Sequence, residues 1–462
     1  MKRLQLPTLF GDNAVFPKGL PISVFGEAEC EGDVTLTLAD GERLSAHFVP
    51  KDGHFSVLLP AVDRYAEGAT LSVTAGDDRH EAKNIAIGIV LLAGGQSNME
   101  LMLKDVEHPH PLCPTEKMRF FTEKHAIDAE LGPLDKPMSD VWYTADGVKE
   151  MEFSAIGYFA AEMLSRELSV TVGVVSCNQG AARIDAWLSP EAVERSGFPA
   201  PHATVPDKGR IFNLNHWLYY NKYLNIAAYT YTAVLWYQGE SNTGFGEGEY
   251  YGALLHELIA EWRGNNPNGD LPFYLVELAP FDSVKAGWAP EPHGDWAPVR
   301  LAISTAPRTE RNVYTVSLTE VADVGEIHPT NKYPVAEKLV RALLTTRYGY
   351  SLEYTGPTLA SACREGSMLT LTFDHAEGLS LRGGASRDAY FILANGEKRE
   401  APLTLTSNCA RVAIPEGATH FALGYGNVPT HNLYNGEGYL ASPLLLSLEN
   451  LYNGEKAWNL KN

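Results

Sequence analysis

The chain has 462 residues, 45% of them hydrophobic and 10% aromatic, and a formal net charge of -20. That length exceeds one ordinary domain and predicts two or three. The acidic balance argues against nucleic acid and anionic membrane surfaces as partners, and it would repel an anionic substrate from any site that is not locally basic. The five cysteines, Cys30, Cys113, Cys177, Cys363 and Cys409, are scattered and show no CxxC spacing. Neither a zinc site nor a redox motif is expected, and buried free thiols in a reducing compartment are. The N-terminus carries charge with no apolar stretch behind it, and no run is long enough to span a bilayer, so a cytoplasmic location is expected.

In chain order, residues 1–84 read as an N-terminal β-sandwich. Pro21–Gly26, Val34–Leu38, His54–Pro60 and Thr70–Thr74 alternate or nearly so, with Asp40-Gly41 and Asp52-Gly53 as hairpin signals. Ile85–Val90 is short, apolar and β-branched, which predicts a buried parallel strand. Leu91-Leu92-Ala93-Gly94-Gly95-Gln96-Ser97-Asn98-Met99-Glu100 follows, with Met99, Leu101, Met102 and Leu103 reading as the start of a helix. A proline- and charge-rich insertion runs from about 108 to 152. Gly157–Leu164 is then helical, and Val170–Val175 and Ala233–Tyr237 are strands. A helix spans about 250–262. Pro272–Val276 and Val313–Leu318 are further strands, and a last helix covers about 333–347. This alternation over 85–349 predicts an α/β domain built on a doubly wound parallel sheet with right-handed crossovers. Residues 350–462 turn β-rich again, with strands at 368–373, 390–393 and 410–414.

Two glycines and Ser97 therefore fall where a strand turns into a helix. Glycine permits the unusual backbone angles such a turn needs. The carboxyl ends of strands in an open α/β sheet are where ligands bind, and a helix start favours developing negative charge. These are conditions that suit a nucleophilic serine. Ser97 and Asn98 could equally be simple helix caps. A phosphate cradle is disfavoured, because no glycine-rich phosphate motif is present.

Three more segments lie just past strand ends, so the topology can bring them to one crevice. Gly180 can present its N–H unobstructed, as an oxyanion donor or as a plain turn glycine. Arg183 and Trp187 follow it and could face a substrate, unless Arg183 pairs with Asp185. In Trp236-Tyr237-Gln238-Gly239-Glu240-Ser241-Asn242, the amide of Gln238 or Asn242 could donate to an oxyanion, with Glu240 beside them; a hydrogen-bonded structural loop is the other reading, and Trp236 reads as core. In Asp323-Val324-Gly325-Glu326-Ile327-His328-Pro329, His328 has the basicity to take a serine proton, and a carboxylate could orient it.

Gly95-Gln96-Ser97-Asn98-Met99 resembles the nucleophile block of the sialate O-acetylesterase family, a branch of the SGNH hydrolases. Trp236–Asn242 resembles its third block, and Ile327-His328-Pro329 its histidine block. Phe153–Phe159, Leu9–Asn13 and Leu433–Gly438 also resemble family segments, so the likeness covers almost the whole chain. It implies an SGNH-type (flavodoxin-like) domain over 85–349, flanked by β-sandwich-like domains at 1–84 and 350–462. It implies a serine esterase with Ser97 and His328 catalytic and Ser97, Gly180 and Gln238 around the oxyanion. Arg183, Glu240 and Asn242 are candidates for substrate binding, and no metal or cofactor is expected.

Two positions depart from the pattern. The aspartate that SGNH enzymes carry three residues before the histidine is Gly325 here. Glu326 is then the favoured carboxylate, with Asp323 or an unassisted Ser–His pair as alternatives. Gly180 is followed by Ala181 where the family has paired glycines. The expected substrate is O-acetylated sialic acid, for whose carboxylate Arg183 is the candidate cation. Acetylated xylan or another neutral oligosaccharide is the alternative, and a non-catalytic sugar-binding protein the alternative of another class.

Overall fold

The computed structural model describes residues 4–123, 140–199, 211–214, 216–287, 296–449 and 451. Residues 124–139 of the expected insertion lie outside them. The chain divides into two units, Met1–Ser241 with Ala253–Tyr274 and Thr330–Val340, and Asn242–Gly252 with Leu275–Pro329 and Arg341–Asn462.

In the first unit, Leu4–Gln5, Ile22–Ala28 and His54–Leu59 form a three-stranded sheet. Gly32–Thr37 pairs antiparallel with Arg43–Phe48 across the turn at Asp40-Gly41. The central strand, β1 (Asp78–Gly95), has two halves of different character. Its first half carries exposed residues and pairs antiparallel with Ala66–Ala75. From Ile85 onward it is buried, and it pairs in parallel with Val172–Asn178 from Ile89 and on both sides from Leu91. The expected boundary at 84/85 thus falls inside one continuous strand, at the point where the burial pattern changes from partial to complete.

Three more strands flank β1: β2 (Met118–Thr122), β3 (Val172–Asn178) and β4 (Ala233–Tyr237). The order is β2-β3-β1-β4, followed by β5 (Phe273–Val276), whose first two residues belong to this unit. Strand β2 lies within the stretch expected to be irregular. Its Arg119 breaks the apolar run, yet that side chain is buried. It donates to the carbonyl of Asn13 at 3.3 Å and pairs with Glu67 at 2.9 Å. An arginine whose terminal nitrogens are hydrogen-bonded can sit in a strand that its charge would seem to forbid.

The helix expected after Ser97 is a single turn, α1 (Ser97–Glu100). Leu101 leaves it at φ -45°, ψ 122°. The backbone then bonds to the start of α2 (Ala155–Leu168). Leu103 N–H donates to Phe153 at 2.9 Å, and Ala155 N–H donates to Leu101 at 2.9 Å. Those bonds take the groups that a longer helix would need. The cysteines also differ from expectation: all five are free, but Cys30 and Cys113 are exposed and only Cys177 is buried. Cys30 falls on the turn between Ile22–Ala28 and Gly32–Thr37, where no core can cover it.

In the second unit, Glu277 N–H, just past β5, donates to Val316 of β6 (Val313–Val316) at 2.9 Å. Burial pushes the Glu277 carboxyl up, opposed by the Arg300 cation that it pairs with. Arg300 also donates to the carbonyls of Leu278 at 3.2 Å and Gly426 at 3.1 Å. Beyond residue 357 lie two four-stranded antiparallel sheets. Their shared core includes Leu371, Phe373, Phe391, Phe421 and Leu423.

His431 is buried in this unit, with Nε2 2.7 Å from the Ala441 carbonyl. Burial pushes its imidazole down to about 4, with the Arg300 cation acting in the same direction. The unfolded chain therefore binds a proton near pH 6.5 that the folded chain resists. Stability from this group is complete above about pH 6.5 and falls as pH drops toward 4, by roughly 1.4 kcal/mol per pH unit. His431→Gln keeps an N–H donor for Ala441 and cannot titrate. Its denaturant-melt stability is expected to decline less steeply over that window; an unchanged slope would remove His431 as the cause.

Candidate active site

Ser97 lies at the carboxyl end of β1, on the first position of α1. The turn before it depends on Gly95, whose φ is +139°. A Cβ there would lie 2.0 Å from the Tyr237 carbonyl oxygen, so the ends of β1 and β4 touch through backbone. Gln96 locks the same junction. Its N–H donates to the Tyr237 carbonyl at 3.0 Å. Its side-chain Oε1 accepts from Gly239 N–H at 3.3 Å, Ser241 N–H at 3.2 Å and Gln238 Nε2 at 3.1 Å. Three donors of the third block thus converge on one amide oxygen. Gln96 and Asn98 are both buried, whereas Ser97 between them is partly exposed.

Gly180, past the end of β3, reaches the same place. A Cβ on it would stand 3.7 Å from Ser97 Cβ and 3.0 Å from Glu100 Oε2. Ala181 occupies the left-handed region at φ 59°, where glycine is the easier residue. Asn213 holds that strained segment: its Nδ2 donates to the Ala181 carbonyl at 2.9 Å, and its Oδ1 accepts from Arg183 N–H at 2.9 Å. The departure from paired glycines is therefore accommodated by a side-chain brace.

Asn98 carries a second junction. Its Nδ2 donates to Glu240 Oε1, and its Oδ1 accepts from the Lys332 ammonium at 2.5 Å. Lys332 also lies over the Tyr237 ring, 5.5 Å from the centroid. Burial pushes the Glu240 carboxyl up, against the opposing pull of the Asn98 hydrogen bond and the Lys332 charge. Lys332 immediately precedes α3 (Tyr333–Tyr348) and stands four residues after His328 in the chain.

Ser97, Gly180, Arg183, Gln238 and Glu240 all belong to the first unit. Several of them differ from their expected parts. Gln238 Nε2 donates to Gln96 Oε1 and to the Ala182 carbonyl, both at 3.1 Å. Both amide hydrogens bind loops together, so the expectation of an oxyanion donor is corrected to a structural role. Arg183 is buried, and its Nε donates to Asp185 Oδ1 at 3.1 Å. Its guanidinium lies 5.6 Å from the centroid of the Phe198 ring. The pairing alternative holds, and Asp185 already balances the charge expected for a substrate. Trp187 is fully buried and packs edge-on to Trp236 and Trp262, so it does not face a substrate. Trp236 is core as expected.

His328, Glu326, Asp323 and Asn242 belong to the second unit. His328 is partly buried, and Glu326 and Asp323 are exposed. Glu326 Oε1 accepts from His328 backbone N–H at 2.9 Å, and Asp323 Oδ1 accepts from Gly325 N–H at 2.9 Å. Asn242 is fully buried. Among the described residues no group of three or more His, Cys, Asp or Glu could hold a metal ion. No helix among them is long and apolar enough to cross a membrane.

Comparison with known proteins bears on this geometry. The model of the carbohydrate esterase family described as sialic acid-specific acetylesterase matches residues 87–332. The human sialate O-acetylesterase is 24% identical over 372 residues, which is 74% of this chain and 70% of that protein. The rat sialate O-acetylesterase is 24% identical over 418 residues, 78% of this chain and 76% of that protein. A crystal structure of a carbohydrate acetylesterase from Xanthomonas citri superposes with a TM-score of 0.79 at 25% identity, covering 96% of this chain and all of that one.

Proposed function

The chain belongs to the sialic acid-specific acetylesterase family of carbohydrate esterases, and we propose that it hydrolyses O-acetyl esters of sialic acid, 9-O-acetylated forms foremost, with Ser97 as the nucleophile. It is a carbohydrate O-acetylesterase, a carboxylic ester hydrolase. The reading extends to the fold: an SGNH-type, flavodoxin-like sheet over 85–349, with the β-rich segments 1–84 and 350–462 as flanking domains.

The reaction runs as acyl transfer in two halves. His328 takes the Ser97 hydroxyl proton as Oγ attacks the acetyl carbonyl. The tetrahedral oxyanion accepts hydrogen bonds from the backbone N–H groups of Ser97 and Gly180. The C–O bond to the sugar breaks, and the sugar alcohol leaves with the proton from His328. Water, deprotonated by His328, then attacks the acetyl-serine, and acetate departs as Oγ regains its proton. Glu326 orients the imidazole and stabilises its cation, with Asp323 the alternative within the same loop.

One observation carries the reading. Ser97 is partly exposed between two buried residues that are clamped from opposite sides, with Gly180 beside it. A nucleophile needs that combination of access and fixed direction. The order of the family blocks supports His328 as its partner.

A neutral sugar ester, such as acetylated xylan, is the second reading. It is favoured by the pairing of Arg183 with Asp185, which leaves less positive charge for a sialate carboxylate. Acetate release from 9-O-acetylated sialic acid and from acetylated xylo-oligosaccharides decides between them. The sialate is expected to give the higher kcat/KM, and a preference for xylan would replace it as substrate.

A further inference from the structure

We propose that Lys332 is a positioning residue for Ser97, acting through Asn98, with Glu240 as its counter-charge. This rests on Ser97 being the nucleophile.

Helix α1 has four residues, too few to hold its own shape, so the direction of Ser97 depends on its neighbours. Gln96 is fixed on one side by three donors. Asn98 is fixed on the other by two charged groups. Lys332 donates to its Oδ1, and its Nδ2 donates to Glu240. The polarity of the amide is thereby set. Turned over, Asn98 would point its NH2 at an ammonium and its carbonyl at a carboxylate. Charge-assisted hydrogen bonds at both ends make that reversal costly, the more so because Lys332 and Asn98 are each 1% exposed. The buried ammonium and carboxylate also neutralise each other, which neither could do alone.

The network therefore does two separable things. It balances two buried charges, and it holds the residue next to the nucleophile in one orientation. Balancing charge is a matter of stability. Holding Asn98 is a matter of how well Ser97 is aimed at an acyl carbon, where a shift of about 1 Å can cost on the order of 100-fold in rate.

The test uses Lys332→Met, Glu240→Gln and the double variant. It measures Tm, kcat and KM for an aryl acetate, and the rate of fluorophosphonate labelling. Lys332→Met is expected to lower kcat on the order of 100-fold, leave KM within about twofold, and slow labelling in parallel. In the double variant both members of the pair are neutral, so Tm is expected to recover while kcat and labelling stay low. If a single variant does not fold, the double variant is the one measured. Recovery of kcat together with Tm would overturn the proposal and leave the pair a structural one. So would a Lys332→Met enzyme with wild-type kcat and labelling. Failure of the underlying reading looks different: the wild-type protein itself would not be labelled at Ser97.

Discussion

Ser97→Ala is expected to reduce kcat for aryl acetate hydrolysis by roughly 10⁴- to 10⁶-fold, the scale on which triad hydrolases lose turnover when the nucleophile is removed. Ser97 is partly exposed, and the neighbours that hold the elbow, Gln96 and Asn98, keep their hydrogen bonds in the variant. Stability should therefore change by no more than about 0.5 kcal/mol. Sugar affinity should survive, because only the reacting oxygen is lost. A Ser97→Ala protein that folds, binds sugar and still turns over at the wild-type rate would mean that another residue is the nucleophile. A wild-type protein that binds acetylated sugar and releases no acetate would favour the non-catalytic sugar-binding alternative.

Gly95→Ala is expected to be the most damaging small substitution in the sheet. The added methyl would lie 2.0 Å from the Tyr237 carbonyl oxygen and 2.7 Å from its carbon, both main-chain atoms that cannot move without parting β1 from β4. The backbone at φ +139° is also one that alanine resists. Overpacking and strain each cost about 1–3 kcal/mol, so a loss of about 2–6 kcal/mol is expected, with little soluble protein. Chemical denaturation of whatever folds is the measurement. A variant within about 1 kcal/mol of wild type would show that the two strand ends separate more readily than their contact implies.

Much of the site was legible because it is written in short, local signals. The run Ile85–Val90 reads as a buried strand on composition, and β1 is buried from Ile85 onward; its parallel pairing with β3 begins at Ile89 and with β4 at Leu91. Gly95 announces a tight turn, and Ala233–Tyr237 matches β4 to the residue. What the sequence withheld are partnerships across long separations. Gln96 and Gln238 are 142 positions apart, and nothing in either neighbourhood says that one amide accepts from the other. Residue type, position past a strand end and the family likeness all point Gln238 toward an oxyanion, and none of them reveals that bond. Lys332 and Asn98 are 234 positions apart, and a lysine ahead of a helix reads as a solvated charge. Strand β2 was hidden by Arg119, because a charge within an apolar run argues against burial unless its partners are known. The single-turn α1 was hidden likewise. The residues after it are good helix formers, and the bonds with Phe153 and Ala155 override that propensity.

The most direct measurement treats the folded protein with a fluorophosphonate probe and maps the modified peptide by mass spectrometry. The account predicts a single adduct on Ser97, formed at a rate that falls when His328 is replaced by alanine. An adduct on a different serine, or steady acetate release from protein that stays unlabelled at Ser97, would contradict it.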